Sequence, residues 1–277
     1  NGGRSLLPAA RRASSSYASW SMTLVRRWGD DVFYLGTHKA HWLASVNVPL
    51  FVSRRTLAPR KTLPRAITNW ALDSGGFTEI HTYGRWEMSP ADYATQVRRY
   101  DDEIGKLDWA APQDWMCEAS ALAASGLTVA AHQRLTVDNF LELRQLLGMT
   151  VAPVLQGWEF DDYQRCVDLF TAAGVELGDE PVIGLGSVCR RGATNEISRI
   201  IHSLHPLNMH AFGVKGRAYA ANYDLLTSAD SMAWSFQARY DPPMDGCPHQ
   251  HCNNCPKYAL AWRQRMLDRC AQLRLDL

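Results

Sequence analysis

Short apolar runs recur along the chain, and most stop at a polar residue or glycine before an amphipathic stretch begins. Brief runs bounded by turn residues read as strands, and apolar positions spaced three and four apart read as helices. Strands are predicted at 31–36, 48–53, 70–72, 109–114, 151–157, 181–187, 210–216 and 228–235. Helices are predicted from Pro90 toward Ile104, then over 136–147, 161–173, 194–204 and about 218–226, with a last one starting at Pro256. Ser89 followed by Pro90 is the clearest helix start, an N-cap hydroxyl with proline at the first helical position.

Eight short strands, most followed by a helical segment, predict an α/β chain with a (β/α)₈ TIM-type barrel over residues 22–240. A small C-terminal zinc-binding knot and a helix packed on the barrel occupy 241–277. An open doubly wound sheet also alternates strands and helices, but no phosphate-binding fingerprint follows the first strand. In a barrel the active site lies at the C-terminal strand ends. Those ends here carry Asp73, Asp114, Gln156, Gly184 to Ser187, Lys215 and Asp230. Residues 1–21, rich in arginine and serine and without an acid, are expected to be a flexible tail that need not be native, with Met22 as the natural start.

The formal charge of +1 over 277 residues means that any nucleic-acid binding must come from a local basic patch. Arg54, Arg55, Arg60, Lys61, Arg65, Arg190 and Arg191 are the candidates for phosphates, with a solvated charged face as the other reading. No apolar run approaches the ~18 residues of a membrane span. Seven cysteines, three of them within nine residues, suit a reducing compartment and one metal site better than a disulfide framework. A cytoplasmic location is therefore expected.

The run Ala71-Leu72-Asp73-Ser74-Gly75-Gly76-Phe77 ends a strand at a carboxylate beside bare backbone, where a flat ligand could lie. Its other reading is an Asx turn that ends the strand. Carboxylates at separate strand ends can act as acid, base or nucleophile around one ligand. Asp114 and Gln156 offer an acceptor and a donor–acceptor amide, which suits a purine-like edge. Gly184 and Gly186 would let backbone N–H groups approach a base carbonyl. Asp114 and Gln156 could equally satisfy backbone groups at the barrel mouth.

Taken together, these stretches resemble the tRNA-guanine transglycosylase superfamily. The matching pieces are Asp73-Ser74-Gly75-Gly76-Phe77, Gln156-Gly157, Ile183-Gly184-Leu185-Gly186, Phe212-Gly213-Val214 and Ala229-Asp230-Ser231, followed by a cysteine cluster. The beginning, Phe33-Tyr34-Leu35-Gly36-Thr37-His38 with Pro49-Leu50-Phe51-Val52-Ser53, looks more like the DpdA branch, whose members are associated with inserting 7-deazaguanine bases into DNA. The resemblance implies a transglycosylase that exchanges guanine in DNA for a 7-deazaguanine through a covalent aspartyl intermediate. Asp73 would be the acid/base and Asp230 the nucleophile. Ser74, Gly75, Asp114, Gln156, Gly184 and Gly186 would bind the base. One departure stands out. The tRNA enzymes carry a second aspartate three residues after the first on the eighth strand, and this chain has Ala233 there. A tRNA substrate, a glycosylase or nucleosidase, a free nucleoside substrate and a binding-only relative stay open. So do an accessory DNA-opening protein and a homodimer paired through the zinc region.

Cys247-Pro248-His249-Gln250-His251-Cys252-Asn253-Asn254-Cys255 has the ligand types and closed spacing of a tetrahedral structural zinc. Cys247, Cys252 and Cys255 are three ligands and His249 is the preferred fourth, with His251 next. Cys270 lies along the last helix, roughly 20 Å away at ~1.5 Å per residue, too far to join them.

Overall fold

The structure is a computed structural model that describes residues 32–189, 194–214 and 216–275. The expected tail, Lys215, Arg190 and Arg191 lie outside the described residues. Eight strands form one sheet: β1 (Val32–Thr37), β2 (Leu50–Ser53), β3 (Trp70–Asp73), β4 (Leu107–Ala110), β5 (Val154–Leu155), β6 (Ile183–Leu185), β7 (Met209–Ala211) and β8 (Ser228–Ser231). Their order is β4-β3-β2-β1-β8-β7-β6-β5, and every neighbouring pair is parallel. One further parallel bridge, Ala110 with Val151, joins β4 to the segment leading into β5. There the Ala152 N–H donates to the Ala110 carbonyl at 3.0 Å.

The helices are α1 (Arg54–Leu57), α2 (Gly76–Tyr83), α3 (Pro90–Ile104), α4 (Ala119–Ser125), α5 (Val129–Leu147), α6 (Phe160–Ala172), α7 (Thr194–Leu204), α8 (Gly216–Asn222), α9 (Ala233–Gln237) and α10 (Pro256–Leu275). Ser89 caps α3 as expected, accepting the Asp92 N–H at 3.1 Å. Four helices fall where none is predicted: α1 follows β2 directly, α2 and α9 begin within three residues of their strand ends, and α4 follows the β4 exit. The eighth strand stops at Ser231 instead of running to 235, because the Ser231 hydroxyl accepts the Ala233 N–H at 3.2 Å and turns the chain into α9. The fifth covers only Val154–Leu155: Pro153 has no N–H to donate to a ladder.

Alternation along the strands builds two apolar layers, as the two-residue strand period requires. Phe33, Leu35, Leu50, Val52, Trp70 and Leu72 belong to the large core shared with the helices. Tyr34, Phe51 and Ala71, the residues between them, join Trp109, Ala111, Ala152 and Val182 in a second cluster. Strands buried on both faces read as unbroken apolar runs, which is the pattern the sequence carries.

Candidate active site

The turn after β3 is held from below. The Arg54 guanidinium, 5% exposed, donates to Glu79 Oε1 at 2.7 Å and to the Ser74 carbonyl at 3.1 Å. Arg55 adds a second contact to Glu79 at 2.9 Å. These bonds tie the start of α1, the Asp-Ser-Gly-Gly turn and α2 into one unit. Gly75 takes φ 83° at the N-cap of α2, a left-handed angle that a side chain would strain. Asp73 hydrogen-bonds with the Ser53 hydroxyl and accepts the Gly75 N–H. Burial pushes its pKa up against those two bonds, and the charge of Asp230 pushes it further.

Asp114 and Gln156 meet through a buried network. Gln156 Nε2 donates to Asp114 Oδ2 at 2.6 Å, and the Ser74 hydroxyl lies 3.4 Å from Asp114 Oδ1. Ser187 accepts the Cys117 N–H at 2.8 Å, so its single hydrogen serves either Gln156 Oε1 at 2.7 Å or Glu118 Oε2 at 3.2 Å. These partners hold Ser187 at φ 57°, an uncommon angle outside glycine and one that concentrates at functional sites. Burial raises the Asp114 carboxyl to about 7, opposed by the Gln156 hydrogen bond and helped by the charges of Asp73 and Glu118. A Cβ on Gly186 would fall on the Gln156 amide, so glycine is what lets that amide lie flat against β6.

Asp230 sits on β8 with Oδ1 accepting the Gly213 N–H at 2.8 Å and lying 3.3 Å from His210 Nε2. Asp73, Asp114, Gln156, Gly186 and Asp230 all line one cavity of about 690 Å³. Five separate strand exits, those of β3, β4, β5, β6 and β8, therefore converge on one space. Ser74, Gly75 and Gly184 are not among the residues that line it. A Cβ on Gly184 would meet the Phe212 ring at 2.5 Å. The N–H groups of Gly184 and Gly186 donate to Pro153 and Leu155 carbonyls at 2.8 and 2.9 Å, so these glycines supply room instead of donors to a ligand. Ala233, at the place of the missing second aspartate, lines the same cavity.

The sequence profile of DpdA, DeoxyPurine in DNA protein A, matches residues 30–276. The chain belongs to the DpdA family, a tRNA-guanine transglycosylase-like family. A comparison with curated proteins gives no match. Membership supports a DNA-modifying, transglycosylase-type role for this DpdA chain. Among the described residues, no helix is long and apolar enough to cross a membrane.

In this DpdA chain the cysteine cluster also comes together. Cys247, His249, Cys252 and Cys255 place one ligand atom each within 4.8 Å of one another. Two thiolates ~2.3 Å from a tetrahedral zinc stand about 3.8 Å apart. Cys247 Sγ and Cys255 Sγ are separated by 3.8 Å, and His249 Nε2 lies 3.2 Å from Cys252 Sγ. Donor types and spacing fit a metal such as zinc. Cys270 is not part of the group. The loop between the ligands reaches the cavity rim: Asn254 Oδ1 is 2.6 Å from Nε2 of His38, and the Asn253 carbonyl accepts the Ser235 hydroxyl at 2.8 Å.

Arg54 departs from expectation, because its buried pairing with Glu79 removes it from any phosphate surface. Arg60, Lys61 and Arg65 remain exposed, and Arg65 also donates to the Asp102 carbonyl. Sequence reasoning missed His210 and Glu118 as part of the site, and it named Ser187 only as a strand end. A histidine within an otherwise apolar strand, Met209-His210-Ala211, is the one local signal that could have found the first of them.

Proposed function

We propose that this chain exchanges guanine in DNA for a 7-deazaguanine through a covalent bond between Asp230 and C1′ of the target deoxyribose. The observation that carries the reading is the convergence of Asp73, Asp114, Gln156 and Asp230 on one cavity large enough for a nucleotide. With Oδ1 of Asp230 engaged by Gly213, Oδ2 is the oxygen left to attack C1′. The C1′–N9 bond breaks, its electron pair stays on N9, and Asp73 gives that nitrogen a proton. A raised pKa suits Asp73 to the role. In the return step Asp73 takes the N9 proton of the incoming base, which attacks C1′ and releases Asp230. Ionised Asp114 accepts the N1–H and 2-amino hydrogens, while the Gln156 amide faces O6. With Ala233 in place of the second aspartate, Asp230 is the β8 carboxylate left for attack.

The target nucleotide has to leave its stack to enter the cavity. Phe236 and Tyr240, 61% and 74% exposed, put two rings at the rim, where neighbouring bases can stack. Exposed Arg60 and Lys61 are suited to backbone phosphates. The proposal includes closure of the sheet into a (β/α)₈ barrel through the Ala110–Val151 bridge, with the barrel ending near residue 240. We read the metal as a structural zinc in 241–277, where α10 docks by the bond from Arg263 Nε to the Phe33 carbonyl at 2.9 Å. The zinc would be held by Cys247, His249, Cys252 and Cys255, and its closed shell supplies folding energy, not chemistry.

The test is incorporation of radiolabelled guanine into DNA and into tRNA by the wild type, Asp230→Ala and Asp73→Ala. Label in DNA alone, lost in both variants, is the expected result. Label in tRNA alone moves the substrate. Base release without label makes the chain a hydrolase.

A further inference from the structure

His210 is fully buried, yet it is polar and sits beneath the reacting carboxylate. In the parallel register of β7 and β8, His210 lies directly opposite Ser228, and Asp230 is two residues further along β8 on the same face. His210 Nδ1 is 2.8 Å from the Ser228 hydroxyl, and Nε2 is 3.3 Å from Asp230 Oδ1. Four rings surround the imidazole: Trp109 at 4.7 Å, Phe212 at 5.0 Å, Phe51 at 5.4 Å and Tyr34 at 5.8 Å between centroids. This cage leaves the ring two polar neighbours, one at each nitrogen.

We infer that His210 is a positioning residue for Asp230, with the Ser228 hydroxyl engaging its other nitrogen. The inference rests on the base-exchange reading for what Asp230 does, and on this geometry alone for what His210 does. A carboxylate oxygen can only accept, so Nε2 must carry the hydrogen. A neutral ring then presents a bare Nδ1, which the Ser228 hydroxyl fills by donating. The partner that can only accept decides where the imidazole proton sits, and the hydroxyl turns to match it. Together with the Gly213 N–H, His210 fixes Oδ1 from two directions and thereby aims Oδ2. The aromatic cage prevents the ring from turning away. That precision matters because a nucleophile displaced by about 1 Å can lose 10²-fold in rate.

Three variants separate positioning from packing. His210→Phe keeps a ring in the cage and removes the donor. His210→Gln places an amide N–H near the position of Nε2–H. Asp230→Ala takes away the acceptor that Nε2–H faces. In the labelled-guanine exchange with DNA, His210→Phe is expected to lower kcat about 100-fold and to leave KM within about twofold, since the base-reading groups are untouched. His210→Gln should recover most of that loss, and thermal melting should be similar for the two. Nitrogen-15 shifts of the imidazole should report Nε2–H in the wild type and a mixed tautomer in Asp230→Ala. Equal losses in His210→Phe and His210→Gln, or an unimpaired His210→Phe, would overturn the inference while base exchange stands. If the wild type exchanges no base, that reading fails by itself, and the imidazole shifts still decide: Nδ1–H in the wild type would sink the inference, and Nε2–H that gives way to a mixed tautomer in Asp230→Ala would support it.

Discussion

The exits of β3 and β8 carry the same dipeptide, Asp-Ser, and each leads into a helix, but the two are built differently. At β3, Asp73 is followed by two glycines, one in a left-handed angle, and the turn is fastened by a buried ion pair between Arg54 and Glu79. At β8, the Asp230-Ser231 pair is followed by exposed Met232 and Ala233, and Asp230 is held from the β7 side by Gly213 and His210. The surroundings of the first raise the carboxyl's hold on a proton. The second presents an oxygen in a fixed direction. On the proposed mechanism, identical local sequence serves a proton carrier at one exit and an attacking group at the other, and the difference comes from neighbours that are distant along the chain.

The largest effects should come from removing either carboxylate. Asp230→Asn and Asp73→Asn are each expected to lower exchange by about 10³-fold or more, measured by labelled-guanine incorporation at saturating DNA. Should one of them retain near-normal exchange, the division of roles between the two exits is wrong. Next comes the clamp beneath β3. Arg54→Met leaves Glu79 buried with only the half-exposed Arg55, and a loss of about 3 kcal/mol in urea unfolding is expected. The same change should spare the β8 side.

Metal removal probes the opposite exit. The knot touches α9 through Asn253 and the rim through His38, and the Asp-Ser-Gly-Gly turn makes no such contact. Cys252→Ser, or chelation, should therefore speed hydrogen exchange of amides in 231–237 about tenfold or more and leave 74–83 protected. Uniform loosening would show that the knot supports the whole fold equally.

The smallest effect is a slope in pH. Asp114 titrates near 7 in the folded protein and near 3.8 when unfolded. Between those values the folded chain holds the extra proton, so stability falls as pH rises through that window, by at most ~1.4 kcal/mol per pH unit. Asp114→Asn should flatten this part of the stability profile. Guanine affinity should move the opposite way in the wild type, weakening as pH drops below about 7 and the acceptor becomes protonated.

Parts of this were legible in the sequence because they are local. The run Trp70-Ala71-Leu72 into Asp73, the Ser89-Pro90 helix start and the Cys247 to Cys255 spacing each declare themselves within a few residues. The helix α9 did not, since Met232-Ala233-Trp234 continues the apolar run of β8 and only the Ser231 hydroxyl ends it. Nor did α2, which begins on a glycine. The His210–Asp230 contact joins residues 20 apart, and it depends on the register in which β7 meets β8. Arg54 reads as one of several surface cations until α2 brings Glu79 beneath it.

The central claim is that Asp230 bonds covalently to the target nucleotide. Intact-protein mass spectrometry of the wild type and Asp230→Asn, each incubated with guanine-containing DNA and then denatured, tests it directly. The account predicts a DNA adduct on the wild type that maps to Asp230, is discharged by added base and is absent from Asp230→Asn. An adduct that persists in Asp230→Asn, or exchange by the wild type with no adduct at any time, would contradict it.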